Sequence, residues 1–184
     1  IHGALLGIRD REDHAEKARE MDIRWIDIVA VNLYPFEATV AKEEVSLEEA
    51  IENIDIGGPT LLRSAAKNHR FVTVITDPGD YGRVLKQLRE TGDVTAELRA
   101  ELASKVFART ADYDSAIDRY LSGALRHENV LRLQFREGER LRYGENSHQT
   151  AFFYRDVGSR EPSVAGARIV QGKEMSYNNY VDSD

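Results

Sequence analysis

The run WIDIVAVNLYPF at residues 25–36 constrains the fold of this chain more than any other segment. Its hydrophobic part is rich in β-branched residues, leaves almost no polar face, and is stopped by Pro35. A strand that is apolar on both faces is typical of a parallel sheet covered by helices. A second β-rich run, FVTVITD at residues 71–77, ends at Pro78. These two runs predict two strands of an α/β domain.

Helical patterns follow each strand. Residues 46–54 begin with a possible capping box, because Ser46 is followed three residues later by Glu49. A second helix is predicted at residues 55–69, where two glycines permit unusual backbone conformations and Pro59 suits the first helical position. Both predicted helices therefore lie between the two strands.

Two more helices follow the second strand. Residues 80–90 form a helical pattern that Gly92 ends. Residues 95–122 carry apolar side chains near a spacing of 3.6, at Leu98, Leu102, Val106, Tyr113, Ile117 and Tyr120. The order strand, helix, helix, strand, helix, helix predicts a layered α/β domain that ends near Ser122.

The pattern changes near residue 129. The segment LRLQFREGERLRYG at residues 131–144 alternates between apolar and polar side chains, with Gly138 as the expected turn. AFFY at residues 151–154 predicts a further short strand. We therefore predict one domain over residues 1–128 and the start of a second, incomplete domain over residues 129–184.

Composition excludes several classes of function. The 184 residues are 41% hydrophobic and 31% charged, which fits a folded soluble protein, and the net charge of -7 argues against a nucleic-acid partner. The chain has no Cys, and its five His residues lack metal-ligand spacing, so we expect no metal site. It has no G-x-G-x-x-G, no P-loop, no membrane span and no signal peptide. A cytoplasmic protein is the resulting expectation.

Two clusters in the first domain could carry chemistry. The Gly-Gly-Pro helix start after Asp55 leaves backbone N–H groups that attract anions. Lys67 lies about two and a quarter turns further along that helix, and a tight turn with a solvated lysine explains the same residues. Asn32 and Tyr34 directly follow a strand, where ligands bind in open α/β sheets, although side chains that simply pack are equally compatible.

Two further clusters lie in the second domain. The segment LRYGENSHQ gathers five hydrogen-bonding side chains around Gly144, namely Arg142, Tyr143, Asn146, His148 and Gln149. The segment QGKEMSYNN, with Lys173, carries a weaker signal. A polar loop is the alternative explanation for both.

These strings occur in one specific order: IHGALLGIRD, IDIVAVNLYPF, IDIGGPTLLRSAAKNH, LRYGENSHQ and QGKEMSYNN. In that order they resemble the bifunctional AICAR transformylase/IMP cyclohydrolase family of purine biosynthesis. The resemblance implies the later part of a cyclohydrolase domain with a methylglyoxal-synthase-like parallel sheet, followed by the start of a second α/β, cytidine-deaminase-like domain. It also implies a homodimer and 10-formyltetrahydrofolate as the formyl donor, with no metal or redox cofactor.

The resemblance also assigns roles to residues of this chain. It implies that Lys67 moves protons during ring closure, with Asp55 and Tyr34 in the same catalytic site. It implies substrate-binding roles for a larger set of residues, namely Asn32, Ile56, Gly57, Arg142, Tyr143 and His148. Ser147 stands where the family usually has Pro, which weakens the assignment beside it.

Essential parts of both sites are expected to lie outside this chain. The family's phosphate-binding segment and its Lys-Thr-Leu-His-Pro stretch would precede residue 1, and its Lys-His pair for formyl transfer would follow residue 184. We therefore expect a fragment with little activity alone. The alternative is a non-catalytic, methylglyoxal-synthase-like ligand-binding module, which would have no reason to carry LRYGENSHQ.

Overall fold

The chain forms two compact units, residues 1–130 and residues 131–184. The computed structural model describes residues 1–133, 135–156, 162–168 and 170–183. Gln134, inside the predicted alternating run, lies outside the described residues. Each unit contains one small two-stranded sheet among these residues, parallel in the first unit and antiparallel in the second.

The elements of the first unit alternate between helices and strands. They are α1 (His2–Leu6), α2 (Glu12–Glu20), β1 (Ile28–Ala30), α3 (Phe36–Val40), α4 (Leu47–Glu52), α5 (Gly57–Lys67), β2 (Thr73–Ile75), α6 (Tyr81–Thr91) and α7 (Ala96–Arg126). The second unit contains β3 (Phe135–Arg140), β4 (Phe152–Asp156) and α8 (Tyr177–Ser183). Short 3₁₀ helices lie at Pro78–Asp80 and Val164–Gly166.

The two strands of the first unit confirm the predicted α/β arrangement. β1 and β2 pair in parallel, with Ile28 opposite Thr73 and Ala30 opposite Ile75. All three residues of β2 are buried. The prediction that β1 is buried on both faces is wrong, because Ile28 and Ala30 are exposed and only Val29 is half-buried. An apolar run indicates that both faces of a strand can be buried. Whether they are buried depends on which helices pack against each face.

The strand is also shorter than the apolar run. β1 ends at Ala30, before Pro35, and Pro35 instead precedes the short helix α3, which the sequence pattern did not predict. The backbone N–H of Val31 still donates to the carbonyl of Ile75 at 3.0 Å. The residues from Asn32 onward therefore leave the sheet and form the loop that follows it.

The helix start at Ser46 is confirmed, but only half of the predicted capping box forms. The Ser46 hydroxyl accepts from the Glu49 backbone N–H at 3.0 Å. The Glu49 carboxylate does not complete the box, because it accepts from the Lys42 ammonium at 2.7 Å instead. A lysine within reach competes successfully for the carboxylate, since an ion pair offers it a charged donor.

The two helices after β2 also follow their sequence patterns. α6 ends at Gly92, which has the positive φ of 79° expected of a glycine C-cap. α7 continues to Arg126, so the predicted end near Ser122 is too early by about one turn. His127 then ends the helix in a left-handed conformation with φ of 56°.

The core of the first unit consists of three clusters of buried side chains. One contains Leu62 of α5, Val74 of β2 and Val106 of α7. The second contains Ile75 of β2 and Leu102 of α7, together with other apolar residues. The third joins Phe36, Ala50 and Tyr113. Because α7 contributes to all three clusters, it is the element that links the core.

The antiparallel pair of the second unit differs from its prediction at Gly138. This glycine lies inside β3, where the register shifts between Glu137 and Arg140, so the expected turn is wrong. A Cβ on Gly138 would come within 1.8 Å of the Phe153 carbonyl oxygen. Glycine is required there because the β4 backbone approaches closely at the irregularity.

The last described segment adds a helix that the sequence pattern did not indicate. α8 spans Tyr177–Ser183, and its Tyr180 ring stacks on Phe153 of β4 with centroids 4.1 Å apart. This contact fixes the helix against the antiparallel pair within the second unit. Across the described parts of the chain, no helix combines the length and the hydrophobicity that crossing a membrane requires.

Candidate functional site

An open pocket of about 830 Å³ lies where β1 ends and α5 begins. Its lining includes five residues that sequence reasoning singled out, namely Asn32, Tyr34, Asp55, Ile56 and Gly57. The rest of the lining includes the Glu52 carboxylate and apolar side chains, among them Ile51, Ile54 and Leu61. An apolar pocket with a few polar groups at the carboxyl end of a parallel strand is a common ligand site.

Asp55 ties the parts of this pocket together. One carboxylate oxygen, Oδ1, accepts from the backbone N–H of Gly58 at 2.7 Å, which caps the first turn of α5. The other, Oδ2, accepts from the backbone N–H of Tyr34 at 3.3 Å. A single side chain therefore holds the loop after β1 against the start of the helix.

Glycine is present at these two positions of the helix start for reasons other than the predicted one. Neither Gly57 nor Gly58 has a positive φ, so the expected special backbone conformation is absent. A Cβ on Gly58 would lie 2.5 Å from the Asp55 carboxylate, whereas a Cβ on Gly57 would meet nothing within 4 Å. Gly58 makes space for the capping carboxylate, and Gly57 presents its backbone to the open pocket.

Pro59 stands third in α5 rather than first, because the helix already begins at Gly57. Its missing N–H still costs nothing at this position, since the first turn has no intrahelical acceptors for its donors. The backbone N–H of Gly57 lies in the same first turn and faces the pocket side of the helix start. This donor is suited to an anionic or carbonyl oxygen.

Lys67 does not lie in the pocket. It is the last residue of α5 and its side chain is exposed. Ten residues of α-helix separate it from Gly57, which corresponds to about 15 Å along the axis. The hydroxyl of Ser64, on the same helical face, bonds back to the Thr60 carbonyl at 2.8 Å. The structure therefore brings Asp55 and Tyr34 together but leaves Lys67 at the opposite end of the helix.

Tyr113 is a neighbour of the site that sequence reasoning treated only as a core residue. It is fully buried in α7, and its hydroxyl contacts the Asp55 loop, where it accepts from the Asp55 backbone N–H at 2.9 Å. A tyrosine in place of a fully apolar residue on a core stripe is a signal for such a partner, because a buried phenol requires a hydrogen bond.

The second unit contains a separate polar cluster at Arg142 and Tyr143. The Arg142 guanidinium lies 4.8 Å from the centre of the Tyr143 ring and donates to its hydroxyl at 3.1 Å. Side-chain hydrogen bonds with Ser176 and with Arg142, reinforced by the positive charge of Arg142, lower the pKa of Tyr143. The cluster thus favours the ionised phenol more than an isolated tyrosine does.

The structure joins the two polar segments of the second unit that the sequence showed separately. The backbone N–H of Tyr177 donates to the Tyr143 carbonyl at 3.2 Å, and the Asn178 amide donates to the Glu145 carbonyl at 3.3 Å. Ser176 is buried and donates to the Asn179 side chain at 3.0 Å. Sequence reasoning pointed to Asn178 and Asn179 as polar groups but missed Ser176, whose position depends on the start of α8.

His148 belongs to the same loop but is exposed. The loop is closed by the Gly144 N–H, which donates to the Gln149 carbonyl at 2.9 Å, and by the Asn146 N–H, which donates to the Gln149 side chain at 2.9 Å. These bonds fix the backbone on both sides of His148. Among the described residues, no group of three or more His, Cys, Asp or Glu side chains could hold a metal ion.

The first unit is thus an α/β domain with an open pocket at a strand end, and the second unit has its own polar cluster. A family model described as "AICARFT/IMPCHase bienzyme" matches residues 65–184, and one described as "MGS-like domain" matches residues 5–60. The first of these covers more than half of the chain. The chain therefore belongs to the AICARFT/IMPCHase bienzyme family.

Individual relatives agree with this assignment. The chain is 52% identical over 186 residues to the bifunctional purine biosynthesis protein PurH of Bacillus cytotoxicus, and 55% identical over 193 residues to that of Magnetococcus marinus. Each match covers 100% of this chain and 36% of the relative, so the chain spans about a third of their length. A solved structure, the crystal structure of ForH, is 34% identical with a TM-score of 0.53, covering 64% of this chain and 61% of that one.

Proposed function

We propose that this chain forms part of an enzyme of the last two steps of purine ring synthesis. The steps are formyl transfer from 10-formyltetrahydrofolate to AICAR and the dehydrative closure of formyl-AICAR to IMP. Residues 1–128 would belong to the IMP cyclohydrolase domain and residues 129–184 to the start of the AICAR transformylase domain, with a cytidine-deaminase-like fold when complete. The working form would be a cytoplasmic homodimer.

One observation carries the cyclohydrolase half of the proposal. Five residues assigned by family resemblance, which are scattered over two loops of the sequence, line a single pocket around the start of α5. The pocket combines an apolar wall for a flat heterocycle with a carboxylate, a phenol, an amide and a helix start. Its volume of about 830 Å³ is sufficient for a nucleotide base and its ribose.

Ring closure requires three events at the base. The carboxamide nitrogen attacks the formyl carbon, one proton leaves this nitrogen and another leaves the formamido nitrogen, and the formyl oxygen takes up both and departs as water as the new C–N double bond forms. The pocket is lined by three side chains that can accept or donate these protons, the carboxylates of Asp55 and Glu52 and the Tyr34 phenol, and the proposal gives the role to Asp55 and Tyr34, which the family resemblance also implies. The backbone at Gly57 can stabilise negative charge on the oxygen, and the pocket holds the two reacting groups in contact.

Lys67 cannot act beside Asp55 at the start of α5, as the sequence pattern suggested. It lies at the far end of α5 from Asp55. In the proposal, Lys67 takes part in proton transfer where another subunit, or a segment outside this chain, completes the active site around it. Among the residues that line the pocket, we propose Asp55 and Tyr34 for proton transfer.

For the second unit we propose a role in binding AICAR. Arg142 and Tyr143 form a fixed pair of a cation and a phenol of lowered pKa, which suits a phosphate or a carboxamide. His148 is exposed on the same closed loop and is available to a ligand. The formyl donor and the chemical step would depend on residues beyond this chain, at an interface between subunits.

The proposal is tested with a chimaera in which this chain replaces the matching segment of the Bacillus cytotoxicus PurH protein, to which it is 52% identical. We expect this chimaera to convert formyl-AICAR to IMP, measured as the change in ultraviolet absorbance. Asp55→Asn should lower kcat by a hundredfold or more, in line with removal of a proton-transfer group.

The matched control is Asp114→Asn, an exposed carboxylate on α7. It should leave kcat within a factor of about two, since most surface substitutions are close to neutral. A chimaera that folds but forms no IMP would reject the cyclohydrolase assignment. Binding of IMP without turnover would instead favour the alternative of a non-catalytic ligand-binding module.

A further inference from the structure

Tyr113 is a buried side chain that connects the long helix α7 to the pocket without lining it. Its ring is fully buried and meets Phe36 edge-on, with centroids 6.1 Å apart. The ring therefore has a packing role in the third core cluster. The hydroxyl points to a different part of the molecule, the loop between α4 and α5.

The Tyr113 hydroxyl uses both its donor and an acceptor site on this loop. It accepts from the Asp55 backbone N–H at 2.9 Å and donates to the Asn53 carbonyl at 3.2 Å. Burial raises the pKa of Tyr113, which keeps the phenol protonated and able to donate. One side chain thus satisfies two backbone groups on either side of Ile54.

Asp55 is consequently held at three atoms. Its backbone nitrogen is fixed by Tyr113, its Oδ1 by the Gly58 N–H and its Oδ2 by the Tyr34 N–H. The last two bonds orient the carboxylate relative to the loop and the helix. The first is the one that anchors the residue's backbone to the core.

Tyr113 itself is held in place by Arg109, which also connects it to α3. The Arg109 guanidinium lies 5.4 Å from the centre of the Tyr113 ring and forms an ion pair with Glu37 of α3. α3 directly follows the loop that carries Tyr34. Both loops that line the pocket are therefore connected to one segment of α7, between Arg109 and Tyr113.

We propose that Tyr113 is a positioning residue for ring closure, which fixes the Asp55 loop at the start of α5 through its hydroxyl. This inference rests on the proposed function of the pocket. Tyr113 does not contact the pocket space, so its effect must pass through Asp55. Loss of the hydroxyl should disturb the orientation of the carboxylate more than the affinity for the nucleotide, because the pocket wall stays intact.

The test is Tyr113→Phe in the full-length chimaera described above. The variant keeps the ring against Phe36 and removes only the hydroxyl. We expect kcat for IMP formation to fall about tenfold while KM stays within a factor of about two, the size of effect of one lost hydrogen bond. In parallel, the Asp55 amide should exchange its hydrogen at least about tenfold faster.

The matched control is Tyr120→Phe. Tyr120 also lies on α7 and meets the same Phe36 ring edge-on at 6.0 Å, but the hydroxyl that bonds to the Asp55 backbone is that of Tyr113. We expect its kcat, KM and Asp55 exchange rate to match those of the parent chimaera. If the Tyr113 hydroxyl had a purely structural role, Tyr113→Phe would change the melting temperature, as Tyr120→Phe can, and would leave kcat per folded molecule unchanged.

The two proposals fail in different ways. If the parent chimaera forms no IMP, the proposed function is wrong. If it is active and Tyr113→Phe keeps the kcat of Tyr120→Phe, the positioning role is wrong while the function stands. A fall in kcat without faster exchange at Asp55 would also reject the role, since the effect would not pass through the Asp55 loop.

Discussion

The two units of this chain differ in how they cover their apolar side chains. The first unit, residues 1–130, encloses three clusters in which Leu62, Val74 and Tyr113 are fully buried. In the second unit, Leu141 is the only buried hydrophobic residue among those that the structure describes. Its strands instead expose large apolar side chains, such as Phe135 at 54% and Phe152 at 46%.

This difference indicates which unit can hold its site residues in place with its own core. In the first unit, α7 and the buried strand β2 fix the start of α5, so the pocket residues are held by a complete core. In the second unit, the polar cluster at Arg142 is held by backbone hydrogen bonds and by the stack of Phe153 on Tyr180. We expect other protein to cover an exposed apolar surface of this kind.

The strongest test of the comparison is to separate the units. Residues 1–130 alone should unfold in urea with one cooperative transition, because their core lies within that range. Residues 131–184 alone should show no cooperative transition, since they bury too little apolar surface to offset the loss of chain entropy. Circular dichroism during a urea titration of each piece measures both outcomes. Cooperative unfolding of the second piece would contradict the comparison.

Single substitutions sharpen the same contrast. Leu62→Ala removes a fully buried side chain and should lower the free energy of unfolding by about 2–5 kcal/mol. Phe152→Ala, at a side chain that is 46% exposed in the second unit, should change it by less than about 1 kcal/mol. Denaturant unfolding followed by circular dichroism, to which both units contribute, reports both variants. Equal losses of unfolding free energy in the two variants would show that the first unit is not better packed than the second.

A smaller effect is expected at the helix cap. Asp55→Ala removes the acceptor for the Gly58 N–H and should cost about 1 kcal/mol of stability. Asp114→Ala, at an exposed carboxylate, should change stability by less than about 0.5 kcal/mol. Thermal unfolding of the three proteins, measured side by side, provides the comparison. If Asp55→Ala is neutral, the carboxylate does not hold the helix start.

The smallest effect concerns titration in the second unit. The pKa of Tyr143 is lowered by its hydrogen bonds with Ser176 and Arg142, so this phenol should ionise at a lower pH than an unperturbed tyrosine. Arg142→Gln should move the titration to higher pH, because the charged donor is lost. Carbon-13 NMR of the tyrosine ring carbons follows each phenol separately. A titration unchanged by Arg142→Gln would show that the pair does not form.

Much of the first unit could be predicted because its signals are local. Gly92 ends α6 through its own backbone conformation, and the stripe from Leu98 to Tyr120 identifies the buried face of α7. The pocket residues Asn32 and Asp55 were also identified, since a strand end and a helix start are visible in the sequence. Their convergence on one pocket, by contrast, depends on the parallel pairing of β1 with β2.

The features that could not be predicted depend on a partner elsewhere in the chain. The sequence predicts a turn at Gly138, because only the close approach of β4 shows that this glycine lies within a strand. The exposure of Ile28 depends on which side of β1 is covered. Tyr113 belongs to the core stripe, and its contact with Asp55 joins residues 58 positions apart. Such long-range contacts leave no local pattern in a single sequence.

The central claim is that the pocket at the start of α5 receives the nucleotide. It is tested most directly by adding IMP to the isotopically labelled chimaera described above, which contains the segments expected outside this chain, and recording the amide NMR spectrum up to millimolar concentrations. We expect shifts at Asn32 and Tyr34 and across residues 55–58, with little change at residues 142–149. Shifts confined to the second unit, or no shifts at any amide, would contradict the assignment of this pocket.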